Sequence, residues 1–334
     1  MEINYKCLFT ILISIVLCAG CSLKTKQDTK ENKTKSIKIE ESNISFVSKG
    51  KIYAKEIYQF NVYKEVLDEV DANNLNNIEK IQTIILDYLS TSNNQSLRDK
   101  AFGIYRIKFY RILRHTPVVY KGTIIDNCEY APSNYEDLKI IENYFRQKGL
   151  RLMSMEGCYY VEEDNNFTIQ KYSNFLSQPW KEYLLLRNKE DNRFINDGAV
   201  AMPWDELRHR IIYWENFVNK YPNFPENNEI KAKLADYLEW YITGKYAYDR
   251  GEGDVLGFEL KESYEKFLNQ DKKSKFYPTV ETWYNLLKKN NFVYRYYFDG
   301  EKEVINDVAY KEFKIKQPYK VSSYNKDIYD GMSP

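Results

Sequence analysis

Few side chains in this chain could do acid–base chemistry. It has two histidines, His115 and His209, in 334 residues. His209 lies in Asp205-Glu206-Leu207-Arg208-His209-Arg210, where neighbouring carboxylates could make it a general base. Its place early in a helical pattern reads instead as an exposed helix face. Glu162-Glu163-Asp164 could supply half of the carboxylate pair that glycoside hydrolysis needs. No partner acid is identifiable, so the cluster reads as a solvated strand end. Asp249-Arg250-Gly251-Glu252-Gly253-Asp254 offers oxygen ligands to calcium but lacks the EF-hand spacing, and reads as a plain loop. Trp180, Trp204, Trp214, Trp240 and Trp283 each fall on or beside a helical pattern. They read as core, not as a sugar-stacking platform. No HExxH, Walker loop, G-x-S-x-G or dinucleotide fingerprint occurs. The expectation is no catalytic residue, no metal site and no cofactor.

The elements that must position these residues are mostly helical. Residues 57–70 put Tyr63, Val66, Leu67 and Val70 on one face. Residues 76–90 do so with Ile78, Ile81, Ile85 and Tyr88, and 96–113 with Leu97, Ala101, Ile104, Tyr105, Phe109 and Ile112. Spacings of three and four are the amphipathic-helix pattern. Short polar links make these helices antiparallel neighbours, a helical array over 46–114. The segment 115–163 differs. Val118 to Ile125 is β-branched and predicts a strand; a helix follows at about 134–148, with Leu138, Ile141, Tyr144 and Phe145 inward and Gly149 as its C-terminal cap. Leu150–Met155 and Cys158–Val161 predict a hairpin around Glu156-Gly157. Helices resume at about 166–176 and 179–188.

A repeat marks the region 164–292. Trp214-Glu215-Asn216-Phe217-Val218-Asn219 matches Tyr264-Glu265-Lys266-Phe267-Leu268-Asn269 at an offset of 50 residues. The same offset pairs Ile230 with Val280, Leu234 with Tyr284 and Tyr237 with Leu287. Each copy reads as helix, proline-containing turn, helix, and two such hairpins would bury their apolar faces on each other. The stretch Glu215 to Asn223 resembles the helix end of tetratricopeptide-type lipoproteins of envelope assembly. The period of 50 departs from that family's 34, and its glycine-alanine packing signature is absent. The fold class expected is therefore mainly α, antiparallel helical hairpins with a small α+β insertion carrying a short sheet. Residues 293–334 form a C-terminal tail.

The N-terminus carries the most specific pattern. Behind Lys6 runs Leu8-Phe9-Thr10-Ile11-Leu12-Ile13-Ser14-Ile15-Val16-Leu17, followed by Cys18 and Ala19-Gly20-Cys21. The apolar run has signal-peptide length, short of the roughly 20 residues that a spanning helix needs. The segment resembles the lipobox signal of bacterial lipoproteins, with Cys18 where that family usually has Leu. The resemblance implies cleavage after residue 20, acylation of Cys21 and a chain anchored by lipid in the cell membrane or outer membrane, facing the periplasm or the exterior. Several acyl chains at about 0.8 kcal/mol per buried methylene make a durable anchor. Residues 21–45 are too poor in apolar side chains to offset ordering entropy and read as a tether. Beyond Cys21 only Cys128 and Cys158 remain, and an even pair in an exported domain suggests a disulfide, two independent thiols being the alternative.

Composition narrows the functional class. Charge is balanced, with 49 basic and 48 acidic residues, which excludes the basic field that nucleic acid demands. With 13 glycines the chain is poor in the residue that βα turns use, which argues against an α/β ligand-binding fold. The 31 tyrosines accompany abundant Lys, Asn and Ile, the mark of an AT-rich genome. The leading expectation is a non-enzymatic protein-interaction or scaffold module with a protein or peptide partner and a membrane anchor. Tyr246 and Tyr248, between the two hairpins, are the candidate contacts. The alternative is a cell-wall or glycan-directed enzyme or carbohydrate binder.

Overall fold

Three amphipathic patterns at the front of the chain become α1 (Lys49–Asp68), α2 (Asn77–Thr91) and α3 (Gln95–His115), which pack on one another. The computed structural model describes residues 49–120, 123–124, 135–155, 158–190, 194–196, 199–244, 256–289, 292, 298–299 and 302–303. All belong to one unit, Val47–Pro334. Tyr63 and Leu67 of α1, Ile81 and Ile85 of α2, and Phe102 and Phe109 of α3 are buried, whereas Val66 turns partly to solvent. Asn94 caps α3 by accepting the Leu97 amide at 3.1 Å.

The insertion is built as expected except at its start. Val119–Tyr120 (β1) pairs antiparallel with Thr123–Ile124 (β2), so the β-branched run is a pair of two-residue strands and not one strand. Helix α4 (Tyr135–Gln147) buries Ile141 and Phe145. Gly149 then takes φ +71°, and a Cβ there would lie 2.5 Å from the Phe167 ring, so only glycine fits. The hairpin β3 (Leu150–Met155) and β4 (Cys158–Glu163) runs in register from Leu150↔Glu163 to Met155↔Cys158.

The remainder is helical: α5 (Asn165–Tyr172) and a 3₁₀ turn (Ser173–Phe175), α6 (Gln178–Lys189), α7 (Trp204–Lys220), α8 (Asn227–Thr243), α9 (Phe258–Gln270) and α10 (Tyr277–Lys289). The fold is mainly α with small antiparallel strand pairs. Two of those pairs lie outside the insertion, β5 (Ile195–Asn196) with β6 (Ala199–Val200) and β7 (Phe298–Asp299) with β8 (Lys302–Glu303). The first flanks Asp197-Gly198, a hairpin dipeptide.

Helices α7–α8 and α9–α10 are the two repeated hairpins, and α7 packs on α9. The repeated positions explain themselves: Trp214 and Tyr264, Phe217 and Phe267, Ile230 and Val280 are all buried. Glu215 is buried too, and accepts the Ser274 hydroxyl and the Lys275 amide, both at 2.6 Å, fixing the second turn against α7. The turn at 221–227 recurs at 271–277 and also at 71–77 between α1 and α2. In all three the first helical amide donates to the carbonyl three residues earlier: Asn77 to Asn74, Asn227 to Phe224, Tyr277 to Ser274. An aromatic series connects the front array to the hairpins, running from Phe102 through Trp180 and Tyr183 to Trp214 and Phe217.

Candidate functional site

Charged side chains collect where α3, the end of β4, α6 and α8 meet. Arg106 and Tyr110 are one turn apart on α3, as are Tyr183 and Arg187 on α6. Glu163 ends β4 because Asp164 caps α5, accepting the Phe167 amide at 3.1 Å. Arg106 donates from Nη1 to both Glu163 oxygens at 3.1 and 3.2 Å. The Tyr110 hydroxyl also donates to Glu163, and Thr168 does so at 2.8 Å. Arg187 lies farther off, at 3.5 Å. Burial alone would raise the Glu163 carboxyl, but Arg106 and Arg187 bring it down to about 2. Glu226 sits 3.6 Å from Arg106 Nε and is hydrogen-bonded to Glu229. Burial pushes Glu226 up to about 7, while its hydrogen bond and Arg187 hold Glu229 below the usual range.

On the far side of Arg187 opens a pocket of about 140 Å³ between α6, α7 and α8, reached by the β3–β4 hairpin. Glu190, just past the end of α6, lies at its wall. It accepts the Trp214 indole N–H, the Tyr237 hydroxyl at 2.9 Å and the Lys233 ammonium at 2.8 Å. Burial opposes its ionisation, and Lys233 with these donors outweighs it. Across the opening Glu162 pairs with Arg151 at 2.5 Å, its cross-strand neighbour. Arg210 of α7 completes the wall; its ion-pair partner is Glu206, one turn back at 2.9 Å and outside the lining. Phe194 and the Tyr237 ring give the pocket its apolar surface. Four cationic side chains therefore face two carboxylates, both already paired.

The residues singled out from sequence fall out as follows. The acidic run 162–164 is not a solvated strand end. Glu163 is buried, Glu162 is ion-paired across the hairpin and Asp164 is a helix cap. His209 is exposed on α7, with Nε2 at 2.8 Å from Arg208, and His115 is exposed at the end of α3. Trp180, Trp204, Trp214 and Trp283 are buried and Trp240 half-buried, all in helices. Cys158 is disulfide-bonded. Cys21, Cys128, Tyr246, Tyr248 and the 249–254 loop lie outside the described residues. Among the described residues no cluster of His, Cys, Asp and Glu could hold a metal ion, and no helix is long and apolar enough to cross a membrane.

Sequence reasoning missed Arg106, Arg187, Arg210, Glu226 and Lys233. A signal existed for two of them. Arg106 sits four residues after Phe102 and three before Phe109; Arg210 sits three after Leu207 and four before Trp214. A cation inside an apolar stripe must find an anion. No known protein family, curated protein or solved structure matches the chain.

Proposed function

We propose that this chain is a lipid-anchored, non-enzymatic binding module of the cell envelope. Cys21 carries the acyl chains, residues 22–45 form the tether, and the stacked helices receive a protein or peptide partner. The pocket between α6, α7 and α8 is the part of that surface with built-in chemistry. The observation that supports binding over hydrolysis is the state of its carboxylates. Glu190 is held ionised by three donors and so is not poised as a general acid, and Glu162 is taken by its ion pair with Arg151. The carboxyl raised to about 7, Glu226, is turned to Arg106 and Glu229 and does not line the pocket. With the tryptophans in the core, the glycan-directed reading has less support.

Two measurements test this. Labelling with a fatty-acid analogue should mark the wild type and not Cys21→Ala; label on Cys21→Ala overturns the anchor. A photo-crosslinker at the exposed Phe258 of α9 should capture a single envelope protein in cells, and Tyr246→Ala/Tyr248→Ala should reduce that capture. Absence of a defined crosslinked partner, or release of fragments from peptidoglycan by the purified chain, overturns the binding reading.

A further inference from the structure

We propose that the pocket between α6, α7 and α8 binds a small oxyanion, a phosphate or carboxylate group. This deepens the preceding reading and rests on it only in taking the pocket as a binding site. The cations of the wall are unequally paired. Of the cations in the wall, Lys233 and Arg151 are matched by Glu190 and Glu162. Arg187 and Arg210 have no matching carboxylate inside the pocket. The Arg187 partner, Glu163, lies 3.5 Å behind it and is already taken by Arg106, Tyr110 and Thr168. The Arg210 partner, Glu206, stands toward solvent, its side chain 39% exposed, while Arg210 is 1% exposed. Arg210 approaches the Tyr237 hydroxyl, yet its Nε has no acceptor among the described residues.

Four cations line the wall against two carboxylates, the counter-charges of Arg187 and Arg210 lie outside the lining, and Arg210 Nε is left without an acceptor among the described residues; this favours a guest anion, because attraction strengthens as water is excluded. Guanidinium groups suit oxyanions in particular, since their donors match carboxylate and phosphate geometry. A cationic guest finds no unpaired carboxylate. The volume of about 140 Å³ resembles the roughly 150 Å³ of a cavity that admits benzene. Inorganic phosphate fits; an acidic sugar, larger than benzene, enters with its carboxylate end and leaves the rest of its ring in the mouth of the pocket. Phe194 and Tyr237 can cover the apolar face of such a ring.

Calorimetric titration of the full chain in detergent, at constant ionic strength, tests this with inorganic phosphate, D-glucuronate and neutral D-glucose. Saturable binding of phosphate or glucuronate, with none of glucose, is expected. Phosphate alone assigns a phosphate ligand; glucuronate alone or both assigns a site that accepts a carboxylate. Arg210→Gln keeps a donor toward Glu206 and should weaken binding about tenfold or more. Lys233→Gln, at a half-buried position, should also weaken it and serves if Arg210→Gln does not fold. The inference is overturned if neither oxyanion binds, if glucose binds equally, or if the folded variants bind as the wild type does. Persistence of the Phe258 crosslink in that event would show the binding-module reading surviving without the oxyanion.

Discussion

Glu163 and Glu190 are both buried, ionised carboxylates, the first ion-paired with Arg187 and the second on the wall of the pocket that Arg187 also lines, and their surroundings differ in one respect. Around Glu163 the charge closes on itself. Arg106 and Arg187 face Glu163 and the Glu226–Glu229 pair, which answer their charges within the core even though Arg106 Nε, 3.6 Å from Glu226, makes no hydrogen bond among the described residues. Around Glu190 the carboxylate is saturated but the cations are not, because Arg210 looks outward for its partner. The same residue types thus make a structural joint in one place and a receptive wall in the other. Balance, more than burial, separates them.

The largest expected effect attacks the closed centre. Replacing Arg106 with Leu strands Glu163 without its main counter-charge and should cost roughly 3–5 kcal/mol in urea unfolding. Adding Glu163→Leu should recover much of that loss, since a matched apolar pair needs no ionic compensation. Lys233→Met beside Glu190 should cost less, because Glu190 keeps Trp214 and Tyr237 and Lys233 is partly solvated. Equal losses at the two sites would erase the distinction.

An intermediate effect follows from titration. The Glu226 carboxyl is raised to about 7 in the fold, above its ordinary 4.5. The folded state therefore holds a proton that the unfolded chain releases between those values, and this group's contribution falls as pH rises through that window. Glu226→Gln removes the titration, so its melting temperature should gain on the wild type from pH 5 to pH 8. Glu163 has the opposite sign. Lowered to about 2, it contributes stability above its unfolded value that is lost as pH falls toward 2. The penalty of Glu163→Gln should shrink in acid. A pH-independent gap for both variants would contradict the assigned protonation states.

How much of this was legible follows from which interactions are local. The helices of the front array and the hairpin after Gly149 follow from spacings within one element. So does the 50-residue repeat, whose shared positions are buried contacts. The Arg106–Glu163 pair spans 57 residues and leaves no local trace beyond a cation in an apolar stripe. Ile107, next to Arg106, is 62% exposed, so the side chains there sit opposite to their hydropathy. The pocket was less legible still, since its wall draws on the hairpin, α6, α7 and α8 at once. The short polar link after α1 is legible as a turn, but its kinship with 221–227 is not, because that kinship lies in backbone geometry and in Asn77 and Asn227 and not in an apolar match.

Those two asparagines carry the smallest expected effect and compare the front and back of the molecule directly. Asn77 donates from Nδ2 to the Asp71 carbonyl at 2.8 Å, and Asn227 donates to the Tyr221 carbonyl at 2.7 Å. The bonds are equivalent in the two turns, but Asn77 is half-buried and Asn227 is 5% exposed. Water can replace the Asn77 amide, so Asn77→Ala should cost well under about 1 kcal/mol. At 221–227 the Tyr221 carbonyl keeps the Phe224 amide at 3.1 Å but loses its second donor in a drier place, a loss of about 1–1.5 kcal/mol. Part of that is offset, because the buried Asn227 Oδ1 lacks a partner among the described residues and alanine removes it. A net cost near 1 kcal/mol for Asn227→Ala is expected, larger than that for Asn77→Ala. If urea unfolding ranks them the other way, the shared turn is held by its backbone bonds alone, and the asparagine match is coincidence.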